Sequence, residues 1–83
     1  MNNQLNVVTE PTQQAWEDYV DNRVLNVASI YDVKPELTFA QRLEMMQDLL
    51  ADLSIELYNN VKDKAMRSPM MAYVTKIENR LAV

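Results

Sequence analysis

The sequence predicts an all-α fold, in which an antiparallel helical hairpin is followed by a shorter third helix in one small domain spanning residues 1–83. The chain contains no glycine, although the tight turns of all-β proteins draw heavily on that residue. Apolar residues in the segment 39–57 alternate at spacings of four and three, which is the period of a helix. Three prolines separate segments of helical length.

The first helix is predicted over about residues 10–31, after a loose N-terminal segment at residues 1–8. Thr9 is the predicted cap, and Pro11 suits the first turn because its missing amide would be unpaired there in any case. The helix should end just before Pro35, since the residue preceding a proline is pushed out of the helical region. The predicted apolar face consists of Trp16, Val20, Val24, Val27 and Tyr31.

The second helix is predicted over about residues 39–66. Thr38 and Gln41 have the spacing of a capping box, in which each side chain satisfies a backbone amide of the other residue. The apolar stripe drifts near Asn59 and Asn60, which is a possible break point. This stripe consists of Phe39, Leu43, Met46, Leu50, Leu53 and Leu57.

The third helix is predicted over about residues 69–82, with Ser68 as its cap and Pro69 at its first position. Its apolar residues are Met70, Val74, Ile77 and Leu81, flanked by Met71 and Tyr73. The basic residues alongside this face are Arg67, Lys76 and Arg80. Such a helix weakly resembles a membrane-surface or partner-binding helix, but packing into the core is the favoured interpretation.

The second helix has more apolar surface than the two shorter helices are expected to cover. A helix of this kind is often shared between a fold and an oligomer, so we expect a homodimer through the second helix. The residues predicted at the dimer interface are Leu43, Met46, Leu50, Leu53 and Leu57.

Most catalytic and cofactor-binding arrangements lack their essential residues in this chain. It has no histidine, no cysteine and no glycine, which removes the usual general base, the thiolate nucleophile and the phosphate-binding loop. We therefore expect a non-enzymatic protein with no catalytic residues, no metal and no cofactor. No apolar stretch approaches the roughly 20 residues that span a bilayer, and no secretory signal is visible, so the predicted location is the cytoplasm.

Charge is unevenly distributed along the chain. Residues 1–61 contain ten acidic and three basic side chains, whereas residues 62–83 contain five basic and two acidic ones. An acidic stripe recurs every four residues on the second helix and consists of Glu44, Asp48, Asp52 and Glu56. Its ordinary interpretation is a solvated helix face, and its functional interpretation is a surface that docks on a basic protein partner. A divalent metal site is a third and weaker alternative, and nucleic-acid binding is not expected of so acidic a chain.

Two segments resemble a known group of proteins. Residues 16–23 (WEDYVDNR) and 32–38 (DVKPELT) resemble the cytoplasmic lysis-inhibition accessory proteins of T-even phages, which are antiholins. The resemblance implies a regulatory protein that binds the cytoplasmic part of a holin and delays lysis of the host; it assigns no binding residue. The alternatives are a structural, assembly or chaperone-like helical dimer module of a phage, and a peripheral membrane-binding protein.

Overall fold

The computed structural model describes residues 12–81, which form three α-helices and contain no strand. Helix α1 spans Gln13–Val33, α2 spans Phe39–Asn60 and α3 spans Lys64–Leu81. The predicted all-α class is therefore confirmed. The predictions of a loose segment at residues 1–8, of Thr9 as a cap and of Pro11 in the first turn lie outside the described residues.

Helix α1 begins later than the predicted start near residue 10. Thr12 has an extended backbone (φ −97°, ψ 157°), and its hydroxyl accepts a hydrogen bond from the amide of Ala15 at 3.1 Å. Thr12 is thus the cap, because a threonine oxygen can satisfy an amide of the first turn that has no partner within the helix. The helix ends at Val33, and the amide of Lys34 closes its last turn on the carbonyl of Ile30 at 2.9 Å.

Helix α2 begins as predicted, and its capping box is confirmed. The Thr38 hydroxyl accepts from the Gln41 amide at 3.1 Å, and the Gln41 side-chain carbonyl accepts from the Thr38 amide at 2.8 Å. Two amides that the helix itself cannot satisfy are paired in this way.

Replacing Thr38 by alanine removes one half of the capping box. We expect the substitution to lower the free energy of unfolding by about 1 kcal/mol, the usual value of a threonine cap. Urea denaturation followed by circular dichroism measures the effect, and Thr38→Ser, which retains the hydroxyl, is the control. Equal loss in both variants would contradict a role for the hydroxyl.

The boundary between α2 and α3 differs from the prediction. Helix α2 ends at Asn60 rather than at residue 66, and α3 begins at Lys64 rather than at Pro69. Val61 leaves the helix with φ −117° and ψ 99° and places its side chain in the core, where it is 4% exposed. A carboxylate oxygen of Asp63 then accepts from the Ala65 amide at 3.0 Å. The chain therefore turns directly after Asn60, in agreement with the break point indicated by the drift of the apolar stripe at Asn59 and Asn60, whereas the helix end at residue 66 is wrong.

Ser68 and Pro69 consequently lie inside α3 instead of at its start. The Ser68 hydroxyl donates to the carbonyl of Lys64 at 2.9 Å, so it does not serve as a cap. Pro69 has no amide hydrogen, so it cannot donate to the carbonyl four residues earlier in the helix. It lies near the start of α3, in the second turn of that helix. Helix α1 contacts α3 here, since the side-chain amide of Gln13 donates to the Pro69 carbonyl at 3.2 Å and the Trp16 indole donates to the Met70 carbonyl at 2.9 Å.

The core lies between all three helices and contains both predicted and unexpected residues. Phe39, predicted to begin the apolar stripe of α2, is 79% exposed, because the first residue of a helix can extend beyond its packing partners. Leu49 is buried in addition to the predicted stripe. The buried residues are Trp16, Tyr19, Val20, Met46, Leu49, Leu50, Leu53, Leu57, Val61, Met70 and Val74.

Candidate functional site

The four residues of the predicted acidic stripe do not share one environment. Glu44, Asp48 and Asp52 are exposed on α2, whereas Glu56 is half buried. The four-residue spacing advances about 40° around a helix at each step, so the stripe turns gradually from solvent toward a neighbouring helix. Three of the four predicted carboxylates are therefore available on the surface.

Glu56 belongs to a polar group between α1 and α2. The Arg23 guanidinium donates to the Tyr19 hydroxyl at 2.7 Å and lies 5.6 Å from the centre of its ring. Burial is the largest effect that raises the pKa of Tyr19, and the nearby Glu56 carboxylate raises it further. The Arg23 guanidinium lowers the pKa of Tyr19. This carboxylate is thus part of the contact between two helices.

A second polar contact joins α1 to α3. The Tyr73 hydroxyl donates to a carboxylate oxygen of Asp21 at 2.6 Å. This hydrogen bond, followed by burial and by the charge of Asp21, raises the pKa of Tyr73 to about 12 from its ordinary value of 10.0. The positive charge of Arg80 lowers the pKa of Tyr73, in opposition to these effects.

The raised pKa of Tyr73 predicts a loss of stability in alkali. A group whose pKa is higher in the folded state contributes its full stability below its unfolded pKa and loses it as the pH rises through the folded value. The loss should therefore fall between pH 10 and about pH 12. Asp21→Asn should flatten this decline, leaving a residual slope from Tyr19, whose pKa is also raised. Urea midpoints measured from pH 8 to pH 12 provide the test, and an unchanged slope in Asp21→Asn would contradict it.

The residues predicted at a dimer interface lie mostly inside this fold. Met46 and Leu57 are 7% and 1% exposed, Leu50 and Leu53 are 0% exposed, and Leu43 is half buried. Packing between helices of the same chain occupies these side chains, so they do not provide an external surface. The core takes up Met46, Leu50, Leu53 and Leu57 of the predicted interface, so the apolar surface that α2 leaves exposed lies elsewhere, at Phe39, Ile55 and Tyr58.

A shallow groove of about 580 Å³ runs along the outside of α3. Its basic lining residues are Lys64, Arg67, Lys76 and Arg80. No carboxylate lines the groove within the described part of the chain. Met71 and Ala72 contribute apolar surface, and Tyr58 of α2 forms part of the wall. We refer to this surface as the α3 groove.

One end of the α3 groove is held in place by Arg67. Its guanidinium carbon lies 4.6 Å from the centre of the Tyr58 ring, and the same group donates to the carbonyl of Val61 at 3.0 Å. A cation over an aromatic face is attracted by about 0.5–1 kcal/mol at an exposed site. Arg67 therefore stabilises the turn between α2 and α3, while Lys64, Lys76 and Arg80 remain exposed.

Large apolar side chains accompany the exposed acids of α2. Ile55 is 60% exposed and Tyr58 is 55% exposed. Ile55 follows Asp52 by three residues and Tyr58 follows Ile55 by three, so all lie on neighbouring positions of one helix surface. We call this surface the outer face of α2; it consists of Glu44, Asp48, Asp52, Ile55 and Tyr58.

Comparison of the chain with protein-family models, with curated protein sequences and with solved structures finds no match. Among residues 12–81, no group of three or more acidic, histidine or cysteine side chains could hold a metal ion. None of the three helices within residues 12–81 combines the length and the apolar composition that a bilayer crossing requires.

Sequence reasoning identified three of the basic residues of the α3 groove but not the groove itself. The predicted second helix includes Lys64, which instead begins α3, and helical periodicity predicts no contact between Tyr58 and α3. The drift of the apolar stripe at Asn59 and Asn60 indicates the end of α2, but not that α3 begins as early as Lys64 and so lies against the last part of α2. The Asp63 acceptor is the sequence feature that could have located the start of α3.

Proposed function

We propose that this chain is a non-enzymatic regulatory protein that acts by binding another protein through the outer face of α2. The observation that carries the proposal is the exposure of Ile55 among the carboxylates of Asp48 and Asp52. An interface commonly combines an apolar centre with a polar rim. The acidic rim selects a basic partner surface and accelerates association with it.

The most specific form of this proposal is an antiholin located in the cytoplasm of a phage-infected host. Its partner is the cytoplasmic segment of a holin, and its effect is a delay of lysis. The support for this form is the resemblance of residues 16–23 and 32–38 to the lysis-inhibition accessory proteins of T-even phages. The partner surface would be basic, as the acidic outer face of α2 requires.

The proposal includes an antiparallel arrangement of α1 and α2, which gives the binding face a rigid support. The Tyr31 hydroxyl, near the end of α1, donates to the carbonyl of Arg42 near the start of α2 at 2.8 Å. Arg42 also lies 5.3 Å from the centre of the Tyr31 ring. Contact between the end of one helix and the start of the next is what a helical hairpin requires.

Reversing two charges on the outer face of α2 tests this function. In Asp48→Lys/Asp52→Lys, two cations would face a basic partner, and capture of that partner should fall by about tenfold or more. The matched control is Asp32→Lys/Glu36→Lys, which changes the net charge equally at two exposed positions outside the face. Tagged proteins are used to capture partners from an infected-cell lysate, and captured proteins are identified by mass spectrometry.

The proposal expects one small membrane protein with a cytoplasmic segment to be captured by the wild type and by the control variant. Recovery of virion components alone would contradict the antiholin form and favour the structural or assembly module. Equal capture of the membrane protein by both double variants would contradict the role of the outer face of α2.

Peripheral membrane binding is a second candidate, and the α3 groove supports it. Exposed cations beside apolar side chains are typical of surfaces that bind anionic lipid. Flotation with vesicles containing phosphatidylserine tests this candidate. Wild-type protein that does not float with these vesicles would eliminate it.

A further inference from the structure

Two oppositely charged surfaces adjoin on this protein. The outer face of α2 carries exposed carboxylates, and the α3 groove carries exposed cations. Tyr58 belongs to both surfaces, since it is 55% exposed on α2 and also lines the groove. The two surfaces are therefore continuous at Tyr58.

The charges of the two helices match in number. Helix α2 has four acidic residues and one basic residue, a net charge of −3, whereas α3 has four basic residues and one acidic residue, a net charge of +3. Their spacings match as well: Asp48 and Asp52 are one turn apart on α2, as Lys76 and Arg80 are on α3. A separation of four residues corresponds to about 6 Å along each helix axis.

The acids of α1 are less suited to pair with the α3 groove, because three of them are engaged within the chain. Glu17 accepts from the Gln13 side chain and Asp18 accepts from the Gln14 side chain, both at 2.9 Å. Asp21 accepts from Tyr73 at 2.6 Å. The exposed acids of α2 are the better complement to the groove.

We propose that the α3 groove of one copy of this chain binds the outer face of α2 of a second copy. Each copy contributes one acidic face and one basic groove, so a two-fold axis near Tyr58 allows both contacts to form at once. Such an isologous arrangement closes as a dimer instead of extending into a filament. The inference rests on the binding role proposed above for the outer face of α2, and it adds a regulatory consequence.

The contact would combine apolar burial with charge pairing. Ile55 would meet the apolar part of the groove at Met71 and Ala72, while the carboxylates of Asp48 and Asp52 would meet the cations at its rim. Apolar burial supplies affinity, and the charges supply register and rate. Because the dimer covers the outer face of α2, a second copy and a protein partner compete for that surface.

A charge swap tests the dimer with purified protein alone. Sedimentation velocity at about 0.02 M salt, where screening is weak, compares the wild type with Asp48→Lys/Asp52→Lys and with Lys76→Glu/Arg80→Glu. Each variant alone places like charges opposite each other at both contacts, so its dimer dissociation constant should rise roughly 100-fold. An equimolar mixture restores opposite charges at both contacts, and its dissociation constant should return to within about tenfold of the wild-type value.

Two controls separate the proposed contact from general effects. Asp32→Lys/Glu36→Lys alters net charge by the same amount as the α2 variant and should dimerise like the wild type. Circular dichroism tests whether each variant retains its helices, which we expect because all of the altered side chains are exposed.

The dimer is overturned if the wild-type chain remains monomeric up to about 1 mM. It is also overturned if the equimolar mixture of the two charge variants fails to associate. The dimer is also overturned if the wild-type protein stays monomeric but floats with phosphatidylserine vesicles or binds polyglutamate. The α3 groove is then assigned to anionic lipid or to an acidic peptide, respectively. The proposed function fails by a different measurement, the absence of a captured protein partner. The two failures can therefore be told apart.

Discussion

Replacing Trp16 by alanine is expected to remove a large share of the stability of the folded protein. The side chain is 1% exposed, it packs against Tyr19 with ring centres 5.7 Å apart, and its indole donates to the Met70 carbonyl at 2.9 Å. Removing a buried aromatic ring lowers the free energy of unfolding by about 3–5 kcal/mol. At about 0.05–0.15 kcal/mol per residue, that loss is a large share of the stability of so short a chain.

Trp16→Phe separates the hydrogen bond from the volume of the ring. It retains most of the apolar surface and loses the indole N–H, so we expect a loss of about 1–2 kcal/mol. Urea denaturation monitored by circular dichroism at 222 nm measures both variants, because Trp16 is the sole tryptophan and its fluorescence disappears with the substitution. If Trp16→Ala were as stable as the wild type, Trp16 could not hold α1 against α3.

Leu50→Ala is the second substitution with a large expected effect. Leu50 is 0% exposed, and deleting its side chain should lower the free energy of unfolding by about 2–5 kcal/mol through lost burial and the cavity that remains. Ile55→Ala is the matched control, because it removes the same number of carbon atoms from the same helix at a position that is 60% exposed. We expect its effect on a monomeric sample to lie within about 0.5 kcal/mol.

The comparison of Leu50 with Ile55 also tests the assignment of the two faces of α2. A large loss at Leu50 with a small one at Ile55 agrees with an inner face that packs in the core and an outer face that contacts other molecules. Similar losses at both positions would mean that Ile55 is covered in the folded monomer. That result would remove the main support for a binding role of the outer face.

The three-helix architecture and the start of α2 could be predicted because their causes are local in the sequence. The Thr38–Gln41 capping box depends on a spacing of three residues, and the structure contains both of its hydrogen bonds. The apolar stripe through Met46, Leu50 and Leu53 depends only on the helical period. Each of these signals acts within a few residues, so no knowledge of the rest of the chain is needed to interpret them.

The candidate site was predicted only in part. The exposure of Asp48 and Asp52 follows from their position opposite the apolar stripe, and sequence periodicity was sufficient to predict it. Glu56 has the same spacing, yet its environment is set by Tyr19 of α1. The four cations were visible in the sequence, but their place along one groove depends on where α3 begins.

The sequence alone determined the helical class, the capping of α2 and the uneven charge of the chain, because these depend on neighbouring residues. Tertiary structure decided which apolar residues are buried and where α2 gives way to α3. Val61 leaves the helix and is buried in the core, and Phe39 stays exposed because none of the helices within residues 12–81 covers it. Burial depends on contacts between distant segments, so neither the α3 groove nor its junction with α2 at Tyr58 could be predicted from periodicity.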